Sequence, residues 1–319
     1  MLKSPFTALR VVIVLLAFAG ASASAQSPRT IKIIVPSPAG DTTDILSRMM
    51  ADKISQAHGV TFVVENRPGA GNQIGIEAVF RAPPDGNTLL MATNSFAIGA
   101  HLKKLPYNPL SDFEPICHLV NSPQLLAVNS ASSFRTLPDL IDAAHVKPNT
   151  LTLGAVGPGT AAHIGFEMLK RAAKLEMQFV AFPGNPPAMT AVLGQHVTGV
   201  ITGYASSAPL ITSNQLRALV IGTRIPQLPD VKSFTDYGYK DVEVNNWFGV
   251  IAPAKTPKDK LSQLERWFKE ALQAPEVQVK LESLRLFPVG ACGADFVAHI
   301  GMQYDKAGRA VREANLALQ

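Results

Sequence analysis

The residues able to do covalent or metal chemistry are present but scattered. Seven histidines are dispersed over 319 residues with no H-E-x-x-H and no His-x-His pair, so metal-assisted hydrolysis lacks ligands at workable spacing. No G-x-S-x-G occurs, so the turn that presents a hydrolase serine is missing, and Ser95 has no motif-level partner. The run Gly154-Ala155-Val156-Gly157-Pro158-Gly159-Thr160 follows a strand pattern and opens a helical one, the setting of an anion-binding turn. It lacks the Gly-Lys-Ser/Thr ending of a nucleotide loop. Gly69-Ala70-Gly71-Asn72-Gln73-Ile74-Gly75 is one residue too long for the dinucleotide fingerprint, and no suitable acid follows a second strand. The sequence therefore implies no catalytic residue, no cofactor and no metal.

What remains is non-covalent. A strand–turn–helix device occurs at residues 35–45 and again at 155–164, each turn rich in Gly, Pro, Ser and Thr. A helix start offers backbone N–H groups without intrahelical partners and about half a positive charge. Two such starts facing each other across a cleft would hold a small anion without lysine or arginine. Thr93-Asn94-Ser95, after a third strand, would add hydroxyl and amide donors. Ligands of open α/β sheets sit beyond the carboxyl ends of strands, where all three segments fall. His163, on the first turns of the second helix, reads either as an ordinary helix histidine or as a contact on the cleft wall.

The elements that position these residues alternate. Strands are expected at 31–35, 61–65 and 88–92, with helices following Asp41 or Thr42 and over 74–81. A proline-rich connection covers 106–115. A second series follows, with strands at 124–128, 151–155, 178–182, 197–201 and 216–221 and helices at 138–145, 160–174 and 187–193. A strand at 247–251 and helices at 258–273, 275–284 and 295–314 then return to the first unit. The rhythm implies an α/β chain in two lobes, each with a mainly parallel sheet covered by helices. The lobes are expected at 26–122 plus 235–319 and at 123–234, joined by crossings near 120–125 and 225–245 that form a hinge.

Composition agrees with a folded chain, since 47% of residues are hydrophobic and 17% charged. Aromatics at 7% argue against base-stacking platforms, and the scattered charges contain no basic block, so no nucleic-acid partner is expected. Lys3 and Arg10, the apolar stretch 11–19 and Ala23-Ser24-Ala25 read as an export signal cleaved after Ala25. The stretch is too short to span a bilayer. Export permits a disulfide between Cys117 and Cys292, depending on whether the fold brings them together.

Ile33-Ile34-Val35-Pro36 through Asp44, Val64-Glu65-Asn66-Arg67-Pro68-Gly69-Ala70-Gly71, Pro84-Asp85-Gly86, Leu105-Pro106-Tyr107 with Asp112-Phe113, and Trp247-Phe248-Gly249 with Ala252-Pro253 resemble the Bug-type extracytoplasmic solute receptors. These are the periplasmic binding components of tripartite tricarboxylate transporters, and the resemblance runs from about Ile31 to about Ala314. It implies a type II periplasmic-binding-protein (Venus-flytrap) fold closing on a small carboxylate. The protein would be a non-catalytic monomer in the periplasm that delivers its ligand to membrane permease subunits. A sensory receptor presenting ligand to a signalling protein is the alternative, and an exported enzyme on the same scaffold a weaker one. Carried over by position, the ligand contacts are Ser37, Ala39, Gly40 and Asp44; Thr93, Asn94 and Ser95; and Gly157, Gly159, Thr160 and His163. The chain departs from the family pattern at Asp41 where a second glycine is usual, at Phe182-Pro183-Gly184 for Tyr-Lys-Gly, and at Thr202 for Asp. Asp41 serves as a helix cap or pairs with a cation on the ligand. The lost charges imply a less polar monocarboxylate or an aromatic carboxylate as ligand.

Overall fold

A computed structural model describes residues 30–314 and residue 316; the expected export signal at 1–25 lies outside them. The strands are β1 (Thr30–Val35), β2 (Thr61–Asn66), β3 (Thr88–Thr93), β4 (Phe113–Ser122), β5 (Gln124–Asn129), β6 (Thr152–Val156), β7 (Gln178–Phe182), β8 (Gly199–Gly203), β9 (Leu216–Ile221), β10 (Asn246–Pro253) and β11 (Phe287–Cys292). The helices are α1 (Thr42–His58), α2 (Gln73–Phe80), α3 (Asn94–Leu102), α4 (Leu137–Val146), α5 (Ala161–Ala172), α6 (Asn185–Leu193), α7 (Tyr204–Thr212), α8 (Lys258–Gln273), α9 (Pro275–Ser283) and α10 (Ala294–Glu313).

Two sheets form, one per lobe, in the orders β11-β4-β10-β3-β1-β2 and β7-β6-β8-β5-β9. β1, β2 and β3 are parallel, as are β6, β7 and β8. In the second lobe only β5 runs against the other four strands. In the first, β10 and β11 run against the other four. β5 and β10 are the strands by which the chain enters one lobe from the other. The sheets are therefore mixed, with most strands in each sharing a direction.

β4 is the element that sequence reading missed, because Pro115 ended the apolar pattern there. The strand tolerates the proline at a register shift opposite Val250 and Ile251, where the ladder loses no donor it needs. Helices α3 and α7 and strand β11 also escaped notice, being short and following turn residues that read as loop.

Helices cover both faces of each sheet. In the first lobe, Leu46, Met50 and Ile54 of α1 and Leu264, Trp267 and Phe268 of α8 bury one face. Ile76, Val79, Phe96, Phe113 and Phe296 bury the other. In the second lobe Leu126, Leu153, Ile164, Phe166 and Leu169 form one core and Leu125, Val192, Val200 and Ile221 the other. Phe234, Val242 and Val244 pack with the second lobe, so the returning chain joins the first sheet only at β10. Helix α10 is shared, with Phe296 and Ile300 in a first-lobe core and Ala307, Ala310 and Val311 in a second-lobe core.

Cys117 and Cys292 face each other across β4 and β11 and form a disulfide that closes 175 residues of chain. A loop of that length is costly to close in the unfolded state, so the bond contributes about 2–4 kcal/mol. The C117A/C292A double variant is expected to melt roughly 5–15 °C lower in calorimetry, and the wild type to fall by the same amount under reductant.

His118 of β4 and His299 of α10 lie 4.4 Å apart between ring centroids with their planes tilted by 33°, beside Trp247 and Phe296. Burial pushes both imidazoles down, and the His118 and Lys306 charges help take His299 to about 4. The folded chain thus keeps these rings neutral while the unfolded chain takes up protons near 6.5. Stability should be level above about pH 7 and fall as pH drops from about 6.5 towards 4. Melting curves across that range should show the acid decline, and His299→Phe should flatten it.

Candidate functional site

The first wall of the cleft is the turn between β1 and α1. Asp44 is buried at 3% exposure, and its carboxylate gathers the turn. Gly40 N donates to Oδ2 at 2.9 Å, Arg48 Nε to the same oxygen at 3.0 Å and Asn66 Nδ2 to Oδ1 at 3.0 Å. Burial alone would push this carboxyl up. The hydrogen bonds from Arg48, Gly40 and Asn66, with the Arg48 charge, outweigh that and hold it below its usual range. Asn66 Nδ2 also donates to Ser37 O at 3.0 Å, so the end of β2 is tied to the start of the turn. Gly40 sits at φ +83°, a conformation that a side chain would strain. Asp41 is the cap of α1, accepting from Thr42 N at 2.6 Å. Ala39 and Asp41 are exposed, whereas Ser37 is buried and its hydroxyl has no partner. A buried hydroxyl left unpaired costs free energy that an acceptor or donor in the cleft would offset.

The Val64-to-Gly71 string now has a physical role. Glu65 pairs with Lys32 at 2.7 Å and with Arg67, which fixes the end of β2. Asn66 binds Asp44 and Ser37. The glycine turn then delivers Asn72, whose Nδ2 donates to Ser95 Oγ at 2.8 Å. Gly75 lets α2 lie flush on the first turn, since a Cβ there would stand 2.8 Å from Pro36 Cβ. Ser95 and Thr93 hydroxyls lie 3.0 Å apart at the start of α3. Asn66 and Asn72 are the polar residues that sequence reading passed over. Asn94, expected as a ligand contact, has its side-chain amide committed elsewhere. Its Oδ1 accepts from Trp247 N at 2.9 Å and its Nδ2 donates to Asn245 O at 3.0 Å.

The second wall is the Gly-rich turn between β6 and α5. Thr160 caps α5, accepting from His163 N at 3.3 Å and donating to Val156 O at 2.9 Å. Gly157 N donates to Phe182 O at 3.1 Å, and Gly159 adopts φ +80°. His163 packs on Phe179 at 4.6 Å between centroids, and burial pushes its imidazole down, so it brings no positive charge at neutral pH. Phe182 lies over Gly154. Thr202 is fully buried and donates to Asn185 Oδ1 at 3.2 Å.

Across the cleft, the start of α1 faces the start of α7. Thr42 and Ile45 of α1 and Ala205 and Ser206 of α7 line one cavity of about 200 Å³, with Ser283 and Leu284 at its edge. The Gly-rich turn instead meets the end of α3, where Leu102 reaches within 3.2 Å of the position a Gly159 Cβ would take. The helix start that shares a cavity with α1 is α7, which the Gly203-Tyr204 turn had hidden. Among the described residues no lysine or arginine is buried. Arg48 belongs to Asp44 and is half exposed.

A family model described as "Tripartite tricarboxylate transporter family receptor" matches residues 46–316. A UPF0065 protein in the tcbD–tcbE intergenic region of Pseudomonas sp. (strain P51) is 32% identical over 266 residues, 82% of this chain and 79% of that protein. The solved periplasmic binding protein BugD is 29% identical with a TM-score of 0.78, covering 91% of this chain and 99% of BugD. R. palustris Rpa4515 with adipate is 27% identical with a TM-score of 0.81, covering 92% and 100%. MatC from Rhodopseudomonas palustris with bound malate is 25% identical with a TM-score of 0.77, covering 89% and 99%.

The Asp44 network predicts a measurable loss. Asp44→Ala strands the Gly40 amide and Asn66 and frees Arg48, so stability should fall by about 1–3 kcal/mol in urea unfolding. Asp41→Ala, which removes a cap alone, should cost about 1 kcal/mol.

Proposed function

The chain belongs to the tripartite tricarboxylate transporter receptor family, and on that premise we propose that it captures a small carboxylate between its lobes in the periplasm and delivers it to membrane permease subunits. It acts as an exported monomer without turnover. The observation that carries this reading is the cleft itself. Hydroxyls and helix starts from both lobes meet at the carboxyl ends of strands, with Ser37 Oγ buried and unpaired and, among the described residues, no buried lysine or arginine.

The mechanism follows from desolvation. A carboxylate loses water when lobes close, and its oxygens must find other donors. The starts of α1, α5 and α7, with Ser37, Thr93, Ser95 and Ser206, offer neutral donors from both sides. Contacts to both lobes exist only in the closed form, so ligand selects that form and a membrane partner reads it. Ala39, Gly40, Gly157, Gly159, Thr160 and His163 are the further contacts that we propose, with backbone groups contributing more than side chains.

Selectivity follows from the apolar groups around these donors. Leu102 beside Gly159 makes that end of the cleft apolar. This favours a less polar monocarboxylate or an aromatic carboxylate over a tricarboxylate. The structures of relatives with adipate and malate support the carboxylate class. A thermal-shift panel of benzoate, adipate, malate and citrate tests the reading. Benzoate-like acids should raise the melting temperature, by the equivalent of about 2.7 kcal/mol at a hundredfold excess over Kd. A shift with citrate and none with the aromatic acids would reverse the choice of ligand. No shift with any carboxylate would sink the receptor reading.

A further inference from the structure

The two strands of chain that join the lobes are knotted together by one side chain. β4 runs into β5 through Ser122-Pro123-Gln124, and β9 returns to β10 through residues 222–245. Gln124 O accepts from Gly222 N at 2.8 Å, which is a direct backbone link between the crossings. Asn245 completes it. Its Oδ1 accepts from Gln124 N at 3.2 Å, on the first crossing, and its Nδ2 donates to Thr223 Oγ1 at 2.8 Å, at the start of the second. Gly222 leaves room for it, since a Cβ there would lie 2.2 Å from Asn245 Oδ1.

The same residue is held from the cleft. Asn94 Nδ2 donates to Asn245 O at 3.0 Å and Asn94 Oδ1 accepts from Trp247 N at 2.9 Å, with Asn94 only 5% exposed. Asn94 lies between Thr93 and Ser95, whose hydroxyls are 3.0 Å apart at the cleft end of β3. An unbroken path of hydrogen bonds therefore runs from the turn after β3, through Asn94 and Asn245, to both crossings. A change in lobe angle must alter the geometry at Gln124 or Gly222, which Asn245 bridges.

We infer that Asn245 and Asn94 are positioning residues that set the lobe angle and couple it to the turn after β3. The inference rests on the proposed site for what touches Thr93 and Ser95. The hinge link itself stands on the hydrogen bonds. Without the Asn245 side chain the crossings lose two hydrogen bonds, keeping the Gly222–Gln124 bond and the Asn246–Ser122 pairing, and the lobes sample a wider range of angles.

The test uses the full mature chain without added ligand, so its result does not depend on which carboxylate binds. Spin labels are placed by non-native amino acids at exposed Gln56 in the first lobe and exposed Asp142 in the second, leaving the disulfide intact. Pulsed dipolar spectroscopy reads the interlobe distance. Asn245→Ala and Asn94→Ala are expected to broaden the distance distribution at least twofold. Asn245→Asp keeps the acceptor for Gln124 N and lets Thr223 bond only if its hydroxyl turns to donate, so it should fall between Asn245→Ala and wild type. Amide exchange of Gln124 should rise at least tenfold in Asn245→Ala and stay near wild type in Asn245→Asp. Distributions and exchange that coincide with wild type in the alanine variants overturn the inference. Should an alanine variant fail to fold, the interlobe distances of Asn245→Asp and Asn94→Asp are read instead, and distance distributions that coincide with wild type in both overturn it. Failure of the carboxylate panel with broadened distances in Asn245→Ala would sink the ligand reading and leave the hinge role standing.

Discussion

A buried carboxylate organises the floor of the cleft. Asp44 sits at 3% exposure in the first turn of α1, where a negative charge also suits the helix start. Removing such a group from water is costly, and the cost is met by Gly40, Arg48 and Asn66. Those partners come from the turn, from the next turn of the helix and from the end of the neighbouring strand. The arrangement of the β1–α1 turn therefore follows from satisfying one charge. The glycines and asparagines around it are what remain when that constraint and close approach by α2 are both met.

The wall so built is electrically modest. Arg48 is occupied by Asp44, His163 is kept neutral by burial, and among the described residues no lysine or arginine is buried. The attraction of neutral, fixed donors falls off faster with distance than that of a full charge, so they would hold an anion mainly at hydrogen-bond range. On the proposed reading, an open cleft attracts an anion weakly, and the gain comes on closure, when both walls contribute. This division makes the lobe angle the controlling variable.

Three covalent or packed links govern that angle. β4–β5 and the 222–245 segment carry the backbone across, and α10 lies over both lobes, its first half in one core and its last turns in the other. Lys306 of α10 stands 3.9 Å from Glu243, and Arg171 of α5 reaches Glu313 at the end of α10. These ion pairs are exposed and weak, so the apolar contacts of Ala307, Ala310 and Val311 do most to seat the helix. The disulfide lies on the first-lobe side, between β4 and β11, and stiffens the lobe without crossing the hinge.

Much of this was legible in the sequence. The βα alternation and the turn residues before α1 and α5 follow from local rules, because periodicity and turn preference are properties of neighbours in the chain. The Val64-to-Gly71 string also marked the family. Tertiary structure alone decided the rest. β4 was invisible because its proline is tolerated only at a bulge opposite β10. The partner of Cys117 was set by β11, a strand that local pattern did not announce. That the start of α7 shares a cavity with the start of α1 depends on how the two lobes meet. Asn94 lay in a turn that looked like ligand-binding surface, and packing turned its amide to the hinge. Contacts between residues about 150 positions apart are fixed by how whole lobes meet, and no local pattern of residues encodes that meeting.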